Sequence, residues 1–214
     1  MNHFASVLHL DRVATKALRI TDPYSLHRVV YGLYPDVRDD AQKQQGDSSG
    51  ILYVDLGGDA RGRKILMLSN RPPAPHAEGG HGQVQTKPID PTFWQHDEYA
   101  FAITINPVKR ENASGKIIPV KGRDAIAQWF CERAAAWGFQ VDANSLQVLG
   151  TEVQQFTDKS KRPVTLAQAQ LKGRLRVINR ERFLISACKG IGKGRTFGCG
   201  LLRLVPLSTP TTPE

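Results

Sequence analysis

The order of strand-like and helix-like segments predicts an α+β fold of two tandem ferredoxin-like (βαββαβ) units. Three observations carry that expectation. The first half reads strand, helix, strand, strand. The second half reads strand, helix, strands, helix, strand. The clearest strand, AQAQLKGRLRV (167–177), alternates apolar and cationic residues over its length.

HFASVLHL (3–10) opens the first half as a short strand. Asp22 is suited to cap a helix, and Pro23 stands at the first helical position, where its missing N–H is no loss. That helix is expected over about 24–34, stopped by Pro35. Leu26, Val29, Val30 and Leu33 fall on one of its stripes. Two strands follow, ILYVDL (51–56) and KILMLS (64–69), joined by the turn-rich GGDARGR. Residues 70–98 are rich in Pro, Gly and His without periodicity, and are expected as a loop. YAFAITINP (99–107) resumes strand character, ENASGK reads as a turn, and a helix is expected from about Arg123 to Trp137, with Ile126, Phe130 and Ala134 on its core face. After the strand at 167–177, a short helix at about 180–188 leads through a glycine-rich loop into a last strand, GLLRLVPL. These elements give an N-terminal domain at 1–98, a C-terminal domain at 99–207, and a disordered tail at 208–214.

The chain has 214 residues, 40% of them hydrophobic and 23% charged, which is enough apolar material for packed cores and argues against global disorder. Its 29 Lys and Arg against 20 Asp and Glu leave a net charge of +9, which suits a polyanionic partner, nucleic acid before membrane. Three cysteines, Cys131, Cys188 and Cys199, form no CxxC pair, so neither a disulfide framework nor a zinc ribbon is expected. No stretch approaches 18 apolar residues and the N-terminus lacks a signal-peptide pattern, which gives the expectation of a soluble, cytoplasmic protein without a membrane partner. His76, His81 and His96 lack helical register, so no metal site and no cofactor are expected.

Four groups of residues could carry chemistry. Tyr24, His27 and Tyr31 share a stripe away from the apolar one, which removes His27 from the core; a solvated face and a general acid or base both remain open for it. KGIGKGRTFGCG (189–200) fits neither the dinucleotide nor the P-loop pattern. Even so, Gly190, Gly192 and Gly194 interleaved with Lys189, Lys193 and Arg195 make a loop that a polyanion can approach closely. Lys172, Arg174 and Arg176 form a cationic row on one strand face, with a solvated sheet face as the alternative. Lys159, Lys161 and Arg162 lie in a loop that could continue this track.

GIGKGRTFGCGLLRLVPL resembles the C-terminal glycine-rich loop and final strand of the CRISPR RNA-processing endoribonucleases of the CasE subtype, the repeat-cleaving nucleases of Cascade complexes. DPYSLHRVV is similar to that family's N-terminal helix, and FAITINPVKR followed by SGKIIPV to its strand ending in Asn-Pro. The likeness covers the first 35 residues and most of 99–207. It implies a substrate, the stem-loop repeat of precursor CRISPR RNA, and a metal-independent cut in which the ribose 2′-OH attacks the adjacent phosphate. It further implies His27 as acid or base, Tyr24 as orienter of the phosphate or sugar, and Arg28 as electrostatic stabiliser. The basic strand and glycine loop would hold the stem, and other effector-complex subunits would be partners. Arg195 stands where relatives often carry lysine, which preserves the charge. A non-catalytic RNA-binding subunit of the same architecture is the alternative.

Overall fold

The structure is a computed structural model that describes residues 2–35, 37, 49–59, 61–113 and 115–207. The tail expected at 208–214 lies outside the described residues. The chain separates into two compact units: residues through Ile89 together with Thr196–Gly198, and residues from Asp90 onward apart from those three.

In the first unit, β1 (Phe4–Leu10) leads into a short helix α1 (Arg12–Ala17) and then α2 (Pro23–Gly32), followed by β2 (Ile51–Asp59), β3 (Gly62–Ser69) and β4 (Gln83–Pro88). The strands form one antiparallel sheet in the order β2-β3-β1-β4. This is the ferredoxin-like order. In place of a second helix between β3 and β4, residues 70–82 run as loop with one 3-10 turn, Glu78–Gly80. Leu8 and Leu10 of β1, Ile65 and Met67 of β3, and Leu26 and Val30 of α2 close the core.

The helix expected at 24–34 is α2, and its start is built as the sequence implies. The Asp22 carboxylate accepts from the Ser25 N–H at 2.7 Å, and the Ser25 hydroxyl oxygen accepts from the Asp22 N–H at 3.0 Å, a reciprocal capping box. Two features depart from expectation. The helix α1, capped by Asp11, occupies a stretch for which the sequence predicts no element. Within 70–98, expected as a loop, β4 pairs with β1 along six residues and Pro91–Gln95 forms a 3-10 turn. QVQTKP is an exposed, polar edge strand. Its order comes from the ladder with β1, not from burial, so it carries no hydrophobic signal.

The second unit contains β5 (Glu98–Ile105), a small hairpin of β6 (Val108–Arg110) and β7 (Ile117–Pro119), α3 (Arg123–Ala134), β8 (Phe139–Val141), β9 (Gln147–Thr157), β10 (Pro163–Val177), α4 (Arg180–Lys189) and β11 (Arg203–Pro206). The sheet order β11-β5-β10-β8 repeats the ferredoxin-like arrangement. β10 is the spine of this sheet: it pairs with β5, with β8 through residues 175–177, and with β9 through residues 163–172. Ile126, Phe130 and Ala134 of α3 are buried as their spacing predicts, against Phe101, Phe139 and Phe183. Burial of each fully enclosed phenylalanine contributes about 2–3 kcal/mol. Arg180, at the start of α4, donates to the carbonyls of Trp94 and His96 and pairs with Asp97 at 2.5 Å, which ties residues 94–97 to the helix.

Candidate active site and nucleic-acid interface

His27 lies in the first turns of α2, inside the first unit. The helical register that places Tyr24, His27 and Tyr31 on one stripe brings their rings together. The His27 and Tyr31 centroids are 4.1 Å apart, and Tyr24 stacks at 6.2 Å. Phe197 adds an edge-on ring at 6.0 Å. The stripe is therefore a half-buried aromatic cradle and not a fully solvated face. His27 Nδ1 is buried and has no hydrogen-bond partner among the described residues. Burial draws the imidazole below its ordinary value of 6.5, while the Thr196 main chain, within hydrogen-bonding reach, acts in the opposite direction. The consequence is a predominantly neutral imidazole at neutral pH, able to accept a proton. Arg28 follows on the helix and is exposed.

The segment 196–198 completes this cradle, and it has its own anchor. The Tyr53 hydroxyl of β2 donates to the Thr196 carbonyl at 2.9 Å. Neither Phe197 nor Tyr53 was among the expected site residues. The GRTFG sequence shows a loop aromatic, but no spacing rule connects it to a helix 170 residues earlier.

The cationic residues of the second unit form separate groups. On β10, Ala169, Leu171 and Leu175 are buried while Lys172, Arg174 and Arg176 are exposed, as the alternation predicts. Arg176 is already engaged by Glu98 of β5 through Nε at 3.0 Å and Nη2 at 2.6 Å, so Lys172 and Arg174 are the stronger candidates for a phosphate. Register places Lys172 opposite Ala102, and Ala102 opposite Arg203 of β11. Arg203 is thus a fourth cation on this face, half-buried and with Nε lacking a partner among the described residues. Its position in the run GLLRLVPL gave no sign of this. Lys159, Lys161 and Arg162 sit exposed at the tip of the β9–β10 hairpin, whose turn is fixed by the Asp158 carboxylate accepting from the Ser160 and Arg162 N–H groups. At about 3.3 Å per residue, the strand separates Arg162 from Lys172 by about 33 Å, so the two groups are distinct cationic patches.

The glycine loop is tightly specified. Its five glycines, at 190, 192, 194, 198 and 200, all take positive φ. At Gly200 a Cβ would stand 2.4 Å from the Ile191 carbonyl oxygen, so no larger residue fits there. The Gly200 N–H donates to Thr104 at 2.7 Å, and its carbonyl accepts from Ile191 at 2.9 Å. Lys189 and Lys193 are exposed, and the exposed Arg195 donates Nη1 to the Lys189 carbonyl at 2.8 Å, closing the loop on the end of α4. His76, one of the three histidines weighed for a metal, hydrogen-bonds through Nδ1 with the Gly82 carbonyl at 2.8 Å. No helix among the described residues is long and apolar enough to cross a membrane.

Fold and site together define a class: a double ferredoxin-like α+β protein with a histidine in an aromatic cradle, a basic sheet face and a glycine-rich loop. The chain belongs to the CRISPR associated protein family, whose family model matches residues 4–206. It is 31% identical over 137 residues to the CRISPR-associated endoribonuclease Cse3 of Thermus thermophilus; the match spans 59% of this chain and 65% of that protein. A structure of CRISPR endoribonuclease Cse3 bound to 19 nt RNA superposes with a TM-score of 0.80 at 22% identity, covering 96% of this chain and all of the other. The Cas6e protein of Escherichia coli K-12 superposes with a TM-score of 0.62 at 17% identity, again over 96% of this chain and all of the other. These structures share the fold.

Proposed function

We propose that the protein is an endoribonuclease that binds the stem-loop repeat of precursor CRISPR RNA, cleaves it without a metal ion, and retains the product within an effector complex. In the reaction the 2′-OH gives its proton to a base and attacks the neighbouring phosphorus. The bond to the 5′-oxygen breaks and that oxygen gains a proton, leaving a 2′,3′-cyclic phosphate and a 5′-OH. His27 carries this reading. A half-buried imidazole held neutral at neutral pH among flanking aromatic rings suits proton transfer with a ribose hydroxyl. Tyr24 orients the sugar or phosphate beside it, and Arg28 offsets charge developing on the phosphoryl oxygens. Lys172 and Arg174, the hairpin tip and the glycine-loop cations hold the RNA through its backbone, as A-form geometry favours. The family membership and the RNA-bound Cse3 relative support the substrate class.

The test is cleavage of a labelled repeat hairpin in EDTA by wild type and His27→Ala. Wild type is expected to cut, and the variant to lose about 100- to 10,000-fold in rate while still binding. Undiminished cleavage by His27→Ala, or loss of wild-type cleavage in EDTA that a divalent ion restores, would refute the mechanism. Binding without any cleavage by wild type would favour the non-catalytic RNA-binding subunit.

A further inference from the structure

We infer that Tyr53 is a positioning residue for His27, acting through the main chain of Thr196–Gly198. The inference deepens the proposed function and rests on His27 as the reacting group.

Tyr53 is 1% exposed, the third residue of β2, within the apolar core of the first unit. A hydroxyl at such a depth must find an acceptor, and the Thr196 carbonyl provides it at 2.9 Å. Two residues further on, Gly198 adopts φ +82°, and a Cβ there would lie 3.4 Å from Tyr53 Cε2, so the backbone at 198 is seated on the same ring. Tyr53 thus holds both ends of a three-residue segment. Between the two holds, Phe197 presents its ring to His27, and the Thr196 main chain lies within hydrogen-bonding reach of the imidazole. The phenol therefore fixes one wall of the cradle, the Thr196–Gly198 segment that carries the Phe197 ring. The other groups facing His27 are the Tyr24 and Tyr31 rings of its own helix, with Arg28 adjacent in sequence and the Tyr31 hydroxyl paired to Ser49 at 3.0 Å. None of these depends on the Tyr53 hydroxyl.

Removing only that hydroxyl makes a sharp test. In Tyr53→Phe the ring still fills the core, while the Thr196 carbonyl loses its donor and the segment that carries Phe197 loses its anchor. The full chain, labelled at histidine, is titrated by NMR, with the His27 signal assigned by its loss in His27→Asn. Tyr34→Phe is the control: Tyr34 is also buried in the first unit, but its hydroxyl contacts Met67 Sδ at 3.7 Å. The His27 midpoint is expected to move in Tyr53→Phe and to stay put in Tyr34→Phe. The His27 ring protons, which feel the Phe197 ring current, should also shift only in Tyr53→Phe. Single-turnover cleavage should slow about three- to tenfold with unchanged RNA affinity. Unmoved His27 signals in Tyr53→Phe, or equal movement in both variants, overturn the positioning role. Because the titration needs no RNA, it reads Tyr53 even where wild type fails to cleave, an outcome that would instead overturn the proposed function.

Discussion

Two glycines of one loop, Gly192 and Gly200, allow backbone conformation to be separated from space. Both hold left-handed φ, +74° and +84°, so an alanine at either meets the penalty of that region, about 1–2 kcal/mol. A stiffer unfolded chain offsets part of it, about 0.4–1 kcal/mol. Gly192 has no atom within 4 Å of its would-be Cβ, so Gly192→Ala should cost about 1 kcal/mol in total. Gly200 has the Ile191 carbonyl oxygen at 2.4 Å and the Ile191 nitrogen at 3.0 Å, both main-chain atoms that cannot swing away. The backbone must shift, which adds about 1–3 kcal/mol of overpacking. That shift also strains the hydrogen bonds to Thr104 and from Ile191, adding about 1 kcal/mol and bringing Gly200→Ala to roughly 3–5 kcal/mol. All three tryptophans, Trp94, Trp129 and Trp137, lie in the second unit with this loop, so their fluorescence in a urea titration reports the relevant unfolding. With a slope of about 2 kcal/mol per M, the midpoints should fall by about 0.5 M and about 1.5–2.5 M. Equal midpoints for the two variants would refute the steric reasoning, and a wild-type midpoint for Gly200→Ala would refute the loop geometry itself.

Further outcomes follow from His27 and the cysteines. Because the folded imidazole titrates below 6.5, the unfolded chain takes up its proton first as the pH falls; stability is lost through and below that value and is insensitive to His27 above about pH 7.5. Thermal melts followed by circular dichroism from pH 5 to 8 should show wild type losing ground to His27→Gln on the acid side, and parallel curves would contradict this. Burial pushes the Cys188 thiol to about 11 and the Cys199 thiol to about 12, so both should resist a thiol-specific disulfide reagent at pH 8 until urea unfolds the chain. Rapid labelling of either in the native protein would contradict their environments.

Much of the fold was legible because local chemistry and tertiary context agree. Asp22, Pro23 and Ser25 write a helix start in adjacent residues, and the alternation of β10 reports two faces of one sheet. The missed strands take their order from pairing partners and not from an apolar pattern of their own. β4 is polar and exposed, and only its register against β1 makes it a strand. β9 carries few inward residues and is organised by β10. At the candidate site, helical period alone united Tyr24, His27 and Tyr31. Phe197 and Tyr53 were invisible because their contacts join residues 170 and 143 positions apart. The pairing of Arg176 with Glu98 was hidden similarly, since a charge pattern shows where cations stand without showing which are already neutralised.

The membership of Thr196–Gly198 in the first unit has a consequence for the order in which the molecule is made. A ribosome releases α2 and the sheet around Tyr53 early, but the three residues that finish their surroundings emerge only after β10 and α4. A nascent or truncated chain ending before Thr196 carries the imidazole without its last wall. The setting of His27 is completed only once the chain beyond α4 has been made, so the histidine environment depends on residues far downstream of its own helix.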